Sequence, residues 1–277
     1  MHLAKRGNME HITTLSLFLE PADGFDMAKQ DPYALGPMLQ SVLLSHADAE
    51  YAELLHATGF NPYSQYCFKD SNGNFIWRIN ALTDDAAYRL LEPARKIESF
   101  TLRNISATFA VSKQVSESES ISCLLEKLHG DADARYRIHF ATPTAFKSKN
   151  RYVFMPDVHL IFQNLLMRYN QVYAGDNEID SETIDYIAAH TDITSYNLRS
   201  RYFPRTMGKQ DKLPAFVGTI TLHVAGPQSL RGLVSMLLAF GEAAGVGIKT
   251  SMGMGGMSLL PIGQKTNTAK QGGSIGR

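Results

Sequence analysis

Cysteine is nearly absent: the 277 residues include only two, Cys67 and Cys123. Two thiols cannot build a disulfide framework, and no paired Cys/His spacing suggests zinc. Net charge is absent as well, because 27 Lys and Arg balance 27 Asp and Glu. No global field therefore announces a nucleic-acid partner, and any such surface must come from local clustering of charge. No apolar run is long enough to cross a bilayer; the longest helical one, near Leu233 to Phe240, suits a core-packed helix. The first nine residues lack an apolar core of signal-peptide length. These absences predict a cytoplasmic protein with no membrane partner, no cofactor and no metal.

What is present is a large apolar fraction, 44%, enough to bury the cores of two domains of ordinary size. His11 to Glu20 alternates as a first strand. Pro32 to Ala57 carries Leu35, Met38, Leu39, Val42, Leu43, Ala52 and Leu55 at helical spacing and stops at Gly59. Tyr63 to Phe68 and Asn74 to Ile79 are strands joined by an Asp-Ser-Asn-Gly turn, Thr83 to Arg95 is a capped helix, and Phe100 to Val111 alternates again. Lys113 to Ser122, rich in serine and glutamate, reads as a linker. The same order then recurs: strand Arg135 to Phe146, helix Pro156 to Tyr173, strands Thr194 to Phe203 and Ala215 to Val224, helix Pro227 to Ala244, and a last strand Met257 to Pro261. The acidic stretch Asp176 to Asp185 is an insertion with a helix of its own around Ile184 to His190. The order β-α-β-β-α-β, twice, predicts an α+β chain of two tandem ferredoxin-like (RRM-like) domains, 1–115 and 122–263, with a disordered tail at 264–277.

Between the last helix and last strand lies Gly245-Val-Gly-Ile-Lys-Thr-Ser-Met-Gly-Met-Gly-Gly-Met257, with five glycines, Lys249, Thr250 and Ser251. Without Cβ, Gly245, Gly247, Gly253 and Gly255 let backbone N–H groups approach a bulky anion, and Lys249 adds a cation. Nucleotide-cofactor loops run strand, loop, helix, so that a helix N-terminus meets the phosphate; here the helix comes first, and the G-x-G-x5-G-x-G spacing matches neither fingerprint. A cradle for a phosphate backbone remains, as does a plain flexible turn. Local charge supports the former. Arg199 and Arg201, followed by Arg205, Lys209 and Lys212, interleave with Tyr202 and Phe203, and Lys147, Lys149 and Arg151 form a second basic loop. Basic side chains neutralise phosphates and aromatics stack on splayed bases.

Nine histidines compete for any proton-transfer role. His2 and His11 sit near the N-terminus, and His129, His139, His159 and His190 lie on structural elements. His223 alternates with the apolar residues of its strand and so faces away from them. His46 and His56 are ten residues apart, about 80° out of phase on one continuous helix, so only one can face a given site.

The loop Gly245 to Met257 resembles the C-terminal glycine-rich loop of the Cas6 family, CRISPR-associated endoribonucleases that cut repeat RNA. Phe140-Ala-Thr-Pro-Thr-Ala-Phe146 and Glu53-Leu-Leu-His-Ala-Thr-Gly-Phe60 fit the same family in order and spacing. The resemblance implies two tandem ferredoxin-like domains and metal-independent cleavage by the RNA's own 2′-hydroxyl, leaving 5′-hydroxyl and 2′,3′-cyclic phosphate ends. It also implies a partner, CRISPR repeat RNA within its precursor transcript (pre-crRNA), and leaves room for a CRISPR effector complex or a second copy of the chain. It selects His56, in Leu55-His-Ala-Thr-Gly59, as the catalytic histidine, with His46 as the rival. The chain departs from the family where a lysine often follows, holding Asn61 and Pro62, and where a tyrosine often precedes, near Ser41. Lys69 is the substitute cation, with Tyr63 or Tyr66 as helpers. The competing reading is a non-catalytic RNA-binding subunit of an effector complex.

Overall fold

Leu15, Leu17 and Leu19 alternate into the core, so strand β1 (His11–Pro21) has one face covered by helices and one open. The computed structural model describes residues 10–22, 25–130, 132–175, 180–204 and 212–262. The tail 264–277, His2, Arg205, Lys209 and the start of the acidic insertion (176–179) lie outside them.

After β1 the chain makes a short 3-10 turn, Pro32–Leu35, then α1 (Gly36–His46) and α2 (Ala49–Thr58). A single helix was expected over this span. Instead Ala47 is extended, and the Asp48 carboxylate accepts the Tyr51 N–H at 2.9 Å to start a new helix. The apolar rhythm runs through the break because Leu39, Leu43, Tyr51 and Leu55 all enter one core. Strands β2 (Tyr63–Lys69) and β3 (Phe75–Ala81) follow as a hairpin. Next comes a helical run of α3 (Asp84–Ala86), a π turn (Ala87–Leu91) and α4 (Glu92–Ala94). Thr83 caps that run through its hydroxyl, as its sequence suggested, and Pro93 falls in the first turn of α4, directly after the π turn.

The expected strand Phe100 to Val111 is two strands, β4 (Ser99–Leu102) and β5 (Ala107–Ser120), turned by a 3-10 segment ending at left-handed Ser106. The expected linker Lys113 to Ser122 is a correction: most of it is the second half of β5, paired with β1 from His11↔Ser120 onward. The proposed boundary at 115 therefore falls inside a strand, and α5 (Ile121–Glu126) starts directly after it. Sheet one is ordered β2-β3-β1-β5-β4. Its core holds Trp77, fully buried, whose indole N–H donates to Gln65 at 2.9 Å.

The second half runs β6 (Arg135–Thr144), a small hairpin of β7 (Phe146–Ser148) and β8 (Arg151–Val153), α6 (Val158–Tyr169) continued by a π turn (Asn170–Ala174), and α7 (Ser181–Ala189). It ends with β9 (Thr191–Pro204), β10 (Lys212–Val224), α8 (Gln228–Ala244) and β11 (Met257–Leu260), in a sheet ordered β11-β6-β10-β9. Both sheets place the first strand of their unit between the third and fourth, as the doubled β-α-β-β-α-β order requires. No helix among the described residues is long and apolar enough to cross a membrane.

The halves interlock. Leu82 of the first belongs to the core of the second, and its carbonyl accepts the Tyr173 hydroxyl at 2.8 Å. The Ser64 hydroxyl donates to the Ala243 carbonyl.

Candidate nucleic-acid interface and cleavage site

Helix α8 ends at Gly245, and the chain returns to β11 through a loop that is bonded to protein at most of its amides. Val246 N–H donates to Gly255 O (2.9 Å), Gly247 N–H to Asn164 Oδ1 (2.7 Å), Ile248 N–H to Ala145 O (3.0 Å), Gly255 N–H to Pro143 O (3.0 Å) and Gly256 N–H to Thr142 Oγ1 (2.9 Å). The N–H of Gly245 closes α8 on Gly241 O. The phosphate cradle expected of Gly245, Gly247 and Gly255 is thus corrected: their donors hold the loop in place. At two positions a backbone carbonyl enforces glycine. Gly247 (φ 86°) and Gly255 (φ 69°) are left-handed, and a Cβ would overlap the Ala145 carbonyl at the first and the Val246 carbonyl at the second.

Gly253 lies against the first half, where a Cβ would meet Gly36 Cα at 2.9 Å. Gln65 locks this junction. Its amide donates to Gly36 O (2.9 Å) and Ser251 O (3.0 Å), while Gln40 reaches both Tyr63 Oη (3.1 Å) and Ser251 Oγ (3.4 Å). Thr250 and Ser251 are buried, so they are junction residues and do not present hydroxyls to solvent.

Lys249 differs from its neighbours. It is half-buried, left-handed at φ 58°, and its ammonium lies 3.4 Å from Met252 Sδ. Beside it a small core of Ala145, Phe203, Leu213, Ala215 and Met254, flanked by Tyr33, Ile248 and Met252, ties together the loop, the β6–β7 junction, the β9–β10 hairpin and the first half. Lys147, Lys149 and Arg151 are exposed on β7–β8, whose tight turn uses left-handed Lys149 and Asn150. Arg199 is exposed on β9, and Arg201, half-buried, stands beside Tyr33. The Tyr33 hydroxyl donates to Asp31 at 2.8 Å; burial first and that carboxylate second push it up to about 12, against the pull of Arg201. The chain entering β7 and the β9–β10 hairpin, which carry the separate basic segments, thus both pack against this loop, a meeting that spacing alone could not reveal.

His56 is exposed in the last turn of α2, between buried Leu55 and the left-handed cap Gly59 (φ 65°). At this helix end a groove of about 500 Å³ is lined by Thr58, Gly59 and Phe60 from the first half and Gln171 and Gly175 from the second. His46 ends a different helix, so the phase argument for choosing between them does not apply. Its Nδ1 lies 2.9 Å from the Val42 carbonyl, engaged with its own helix. Lys69 is corrected. It closes the far end of β2, six residues beyond Tyr63 and so about 20 Å along the strand, with its ammonium 5.2 Å from the Phe75 ring centre. Tyr63 and Tyr66 are buried, their hydroxyls accepting from Gln40 and Arg78, so neither stands ready as a helper. Among the described residues no group of three or more His, Cys, Asp or Glu could hold a metal ion.

Two paired ferredoxin-like units with a glycine-rich loop seated at their junction define the class. Residues 138–257 match the family model described as CRISPR-associated endoribonuclease Cas6. A Cas6 of Streptococcus thermophilus is 35% identical over 218 residues, 78% of this chain and 88% of the relative. A Cas6 of Mycobacterium tuberculosis is 32% identical over 264 residues, 94% and 82%. Among solved structures, a Cas6 product complex superposes with a TM-score of 0.71 at 22% identity, covering 91% of this chain and all of that one. A Cas6 substrate mimic complex gives 0.65 at 21%, covering 90% and 99%. This chain belongs to the Cas6 family of CRISPR-associated endoribonucleases.

Proposed function

We propose that the protein binds CRISPR repeat RNA in its precursor transcript and cuts it without a metal, using His56. The 2′-hydroxyl gives up its proton and its oxygen bonds to the adjacent phosphorus. The bond to the 5′-oxygen breaks, and that oxygen takes a proton, leaving a 2′,3′-cyclic phosphate and a 5′-hydroxyl. Imidazole serves either proton transfer near neutral pH. The observation that carries this reading is the exposure of His56 at a helix end beside an open groove, while His46 is engaged with its own backbone. Lys249, Lys147, Lys149, Arg151, Arg199 and Arg201 supply the charge that neutralises phosphates. The names of the related structures, a product complex and a substrate mimic complex of Cas6, support an RNA ligand. The test is incubation of purified protein with repeat RNA in EDTA, with end-group analysis, beside His56→Ala. Cleavage by the parent and a loss of about 10²–10⁴-fold in the variant are expected. A strict Mg²⁺ requirement would overturn the mechanism.

The placement of Lys69 favours one alternative, a non-catalytic RNA-binding subunit, because no lysine of β2 accompanies the histidine. Tight repeat binding without cleavage in the same assay would select it.

A further inference from the structure

Arg168 occupies the last turn of α6 in phase with buried Ile161 and Leu165, a core position that ordinarily takes an apolar side chain. Its guanidinium crosses to the other half of the molecule, where Nη2 donates to the carbonyls of Asn61 (3.2 Å) and Tyr63 (2.9 Å). The residue as a whole is partly exposed, but Nε is shut off from solvent without a partner. Among the described residues no carboxylate pairs with it. Burial pulls the guanidinium down to about 10, against a smaller upward pull from Tyr63. A charge placed in this way is costly, and two carbonyls repay it only in part. The stretch it grips, Asn61 to Tyr63, is the chain emerging from the helix end that carries His56. One turn earlier, Asn164 on the same face of α6 accepts the Gly247 N–H at 2.7 Å.

We propose that Arg168 is a positioning residue for cleavage: with Asn164 it makes α6 a yoke that fixes His56 relative to the glycine-rich loop and the cations grouped around it. The inference rests on the reading of His56 as the cleavage histidine. RNA held by one half must meet a histidine held by the other, and misplacement by about 1 Å costs on the order of 10²-fold in rate. One nitrogen of Arg168, Nη2, serves both carbonyls from a rigid planar group, and the ammonium of lysine, on a shorter and more flexible stem, does not hold that position as firmly.

The experiment compares Arg168→Met and Arg168→Lys with the parent. It measures single-turnover cleavage of repeat RNA across pH, binding of repeat RNA carrying a 2′-deoxy nucleotide at the scissile position, and thermal stability. Cleavage by Arg168→Met is expected to slow about 10–100-fold. Binding of the deoxy RNA should stay within about threefold and the midpoint of the pH–rate profile should not move, as expected for lost transition-state positioning. Arg168→Lys should fall between. Parent-like cleavage by folded Arg168→Met overturns the proposal, as does slowing that merely tracks weaker binding. If Arg168→Met does not fold, parent-like cleavage by Arg168→Lys overturns it. Failure of the underlying reading is separate: the parent then does not cut, or His56→Ala cuts as well as the parent, and Arg168 has no cleavage histidine to place.

Discussion

From Gly245 to Met257 the backbone is largely buried and bonded to protein, whereas from His56 to Gly59 the side chains are exposed and the helix simply stops at a left-handed cap. Both stretches stand out in the sequence, one by glycine and one by a histidine, but for different physical reasons. The glycines answer to the fold: carbonyls of Ala145 and Val246 occupy the space a side chain would need. The histidine answers to solvent: it is exposed, two residues before the groove lining begins at Thr58. A residue type associated with binding can thus be required by packing, and only accessibility separates the two.

Exchanging the symptoms would break this contrast, and the largest effects test it first. His56→Ala should lose about 10²–10⁴-fold in cleavage and leave Tm within a degree or so, since an exposed helix-terminal side chain contributes little to folding. Gly255→Val should do the reverse. Left-handed strain and overlap with the Val246 carbonyl each cost on the order of 1–3 kcal/mol, so a loss of about 3 kcal/mol and roughly 10 °C in Tm is expected by circular dichroism or calorimetry. Repeat RNA should then be bound weakly through unfolding, and binding should recover on cooling. A Gly255→Val protein that melts like the parent but binds no RNA would restore the phosphate cradle.

The element order was legible because both halves write their cores plainly: alternation through Leu15, Leu17 and Leu19, helical spacing through Leu230, Val234 and Leu237. The misreadings have local causes. Strand β5 is coded by Ser and Glu because most of its residues beyond Val111 are exposed, so its composition is that of a linker. Pairing with β1, a contact about a hundred residues away in sequence, makes it a strand. The α1–α2 break did carry a signal, Asp48 three residues before Tyr51, but the apolar rhythm across it outweighed a lone cap. For the proposed site, the choice of His56 rests on its motif, while the proposed part of Arg168 left only a faint sign, an arginine in apolar phase. Which loops Arg168 and Asn164 of α6 touch is set by tertiary packing, and no single-sequence pattern states that.

Lys249 belongs to the first region but carries the charge that the rest of that buried loop lacks, and it sharpens the comparison at smaller scale. Lys249→Ala should weaken repeat binding and reduce the slope of log K against log salt by about 0.7–0.9, one phosphate contact. Lys249→Gly should lose the same slope without lowering Tm, because glycine tolerates the left-handed backbone that lysine occupies at φ 58°. Removing Lys147 and Lys149 from the exposed β7–β8 turn should reduce the slope further with Tm unchanged. An unaltered slope in all of these variants would place the RNA path elsewhere.

The smallest effect concerns the helix that leads into the loop. Glu242 on α8 accepts the Leu259 N–H at 2.7 Å and borders a cleft lined by Arg78, Glu117, Glu119 and Lys127. Burial raises its carboxyl above the ordinary value, outweighing the opposing pull of the Leu259 amide, Lys127 and Arg78; Glu119 adds to the rise. A carboxyl that holds its proton more tightly folded than unfolded stabilises the fold below its unfolded pKa. That contribution is lost as pH climbs through the folded value. At neutral pH the ionised group is therefore a net cost. Glu242→Gln keeps an oxygen for Leu259 N–H and removes the charge, so Tm should rise by about 2 °C at neutral pH. The gain should vanish near pH 4, where the parent carboxyl is itself protonated. Because His56 lies on another element, cleavage by Glu242→Gln should match the parent. A Tm that falls at neutral pH would mean that the charge of Glu242 serves Arg78 or Lys127 more than burial penalises it, and the α8 end of the loop would then be held by ion pairing as well as by packing.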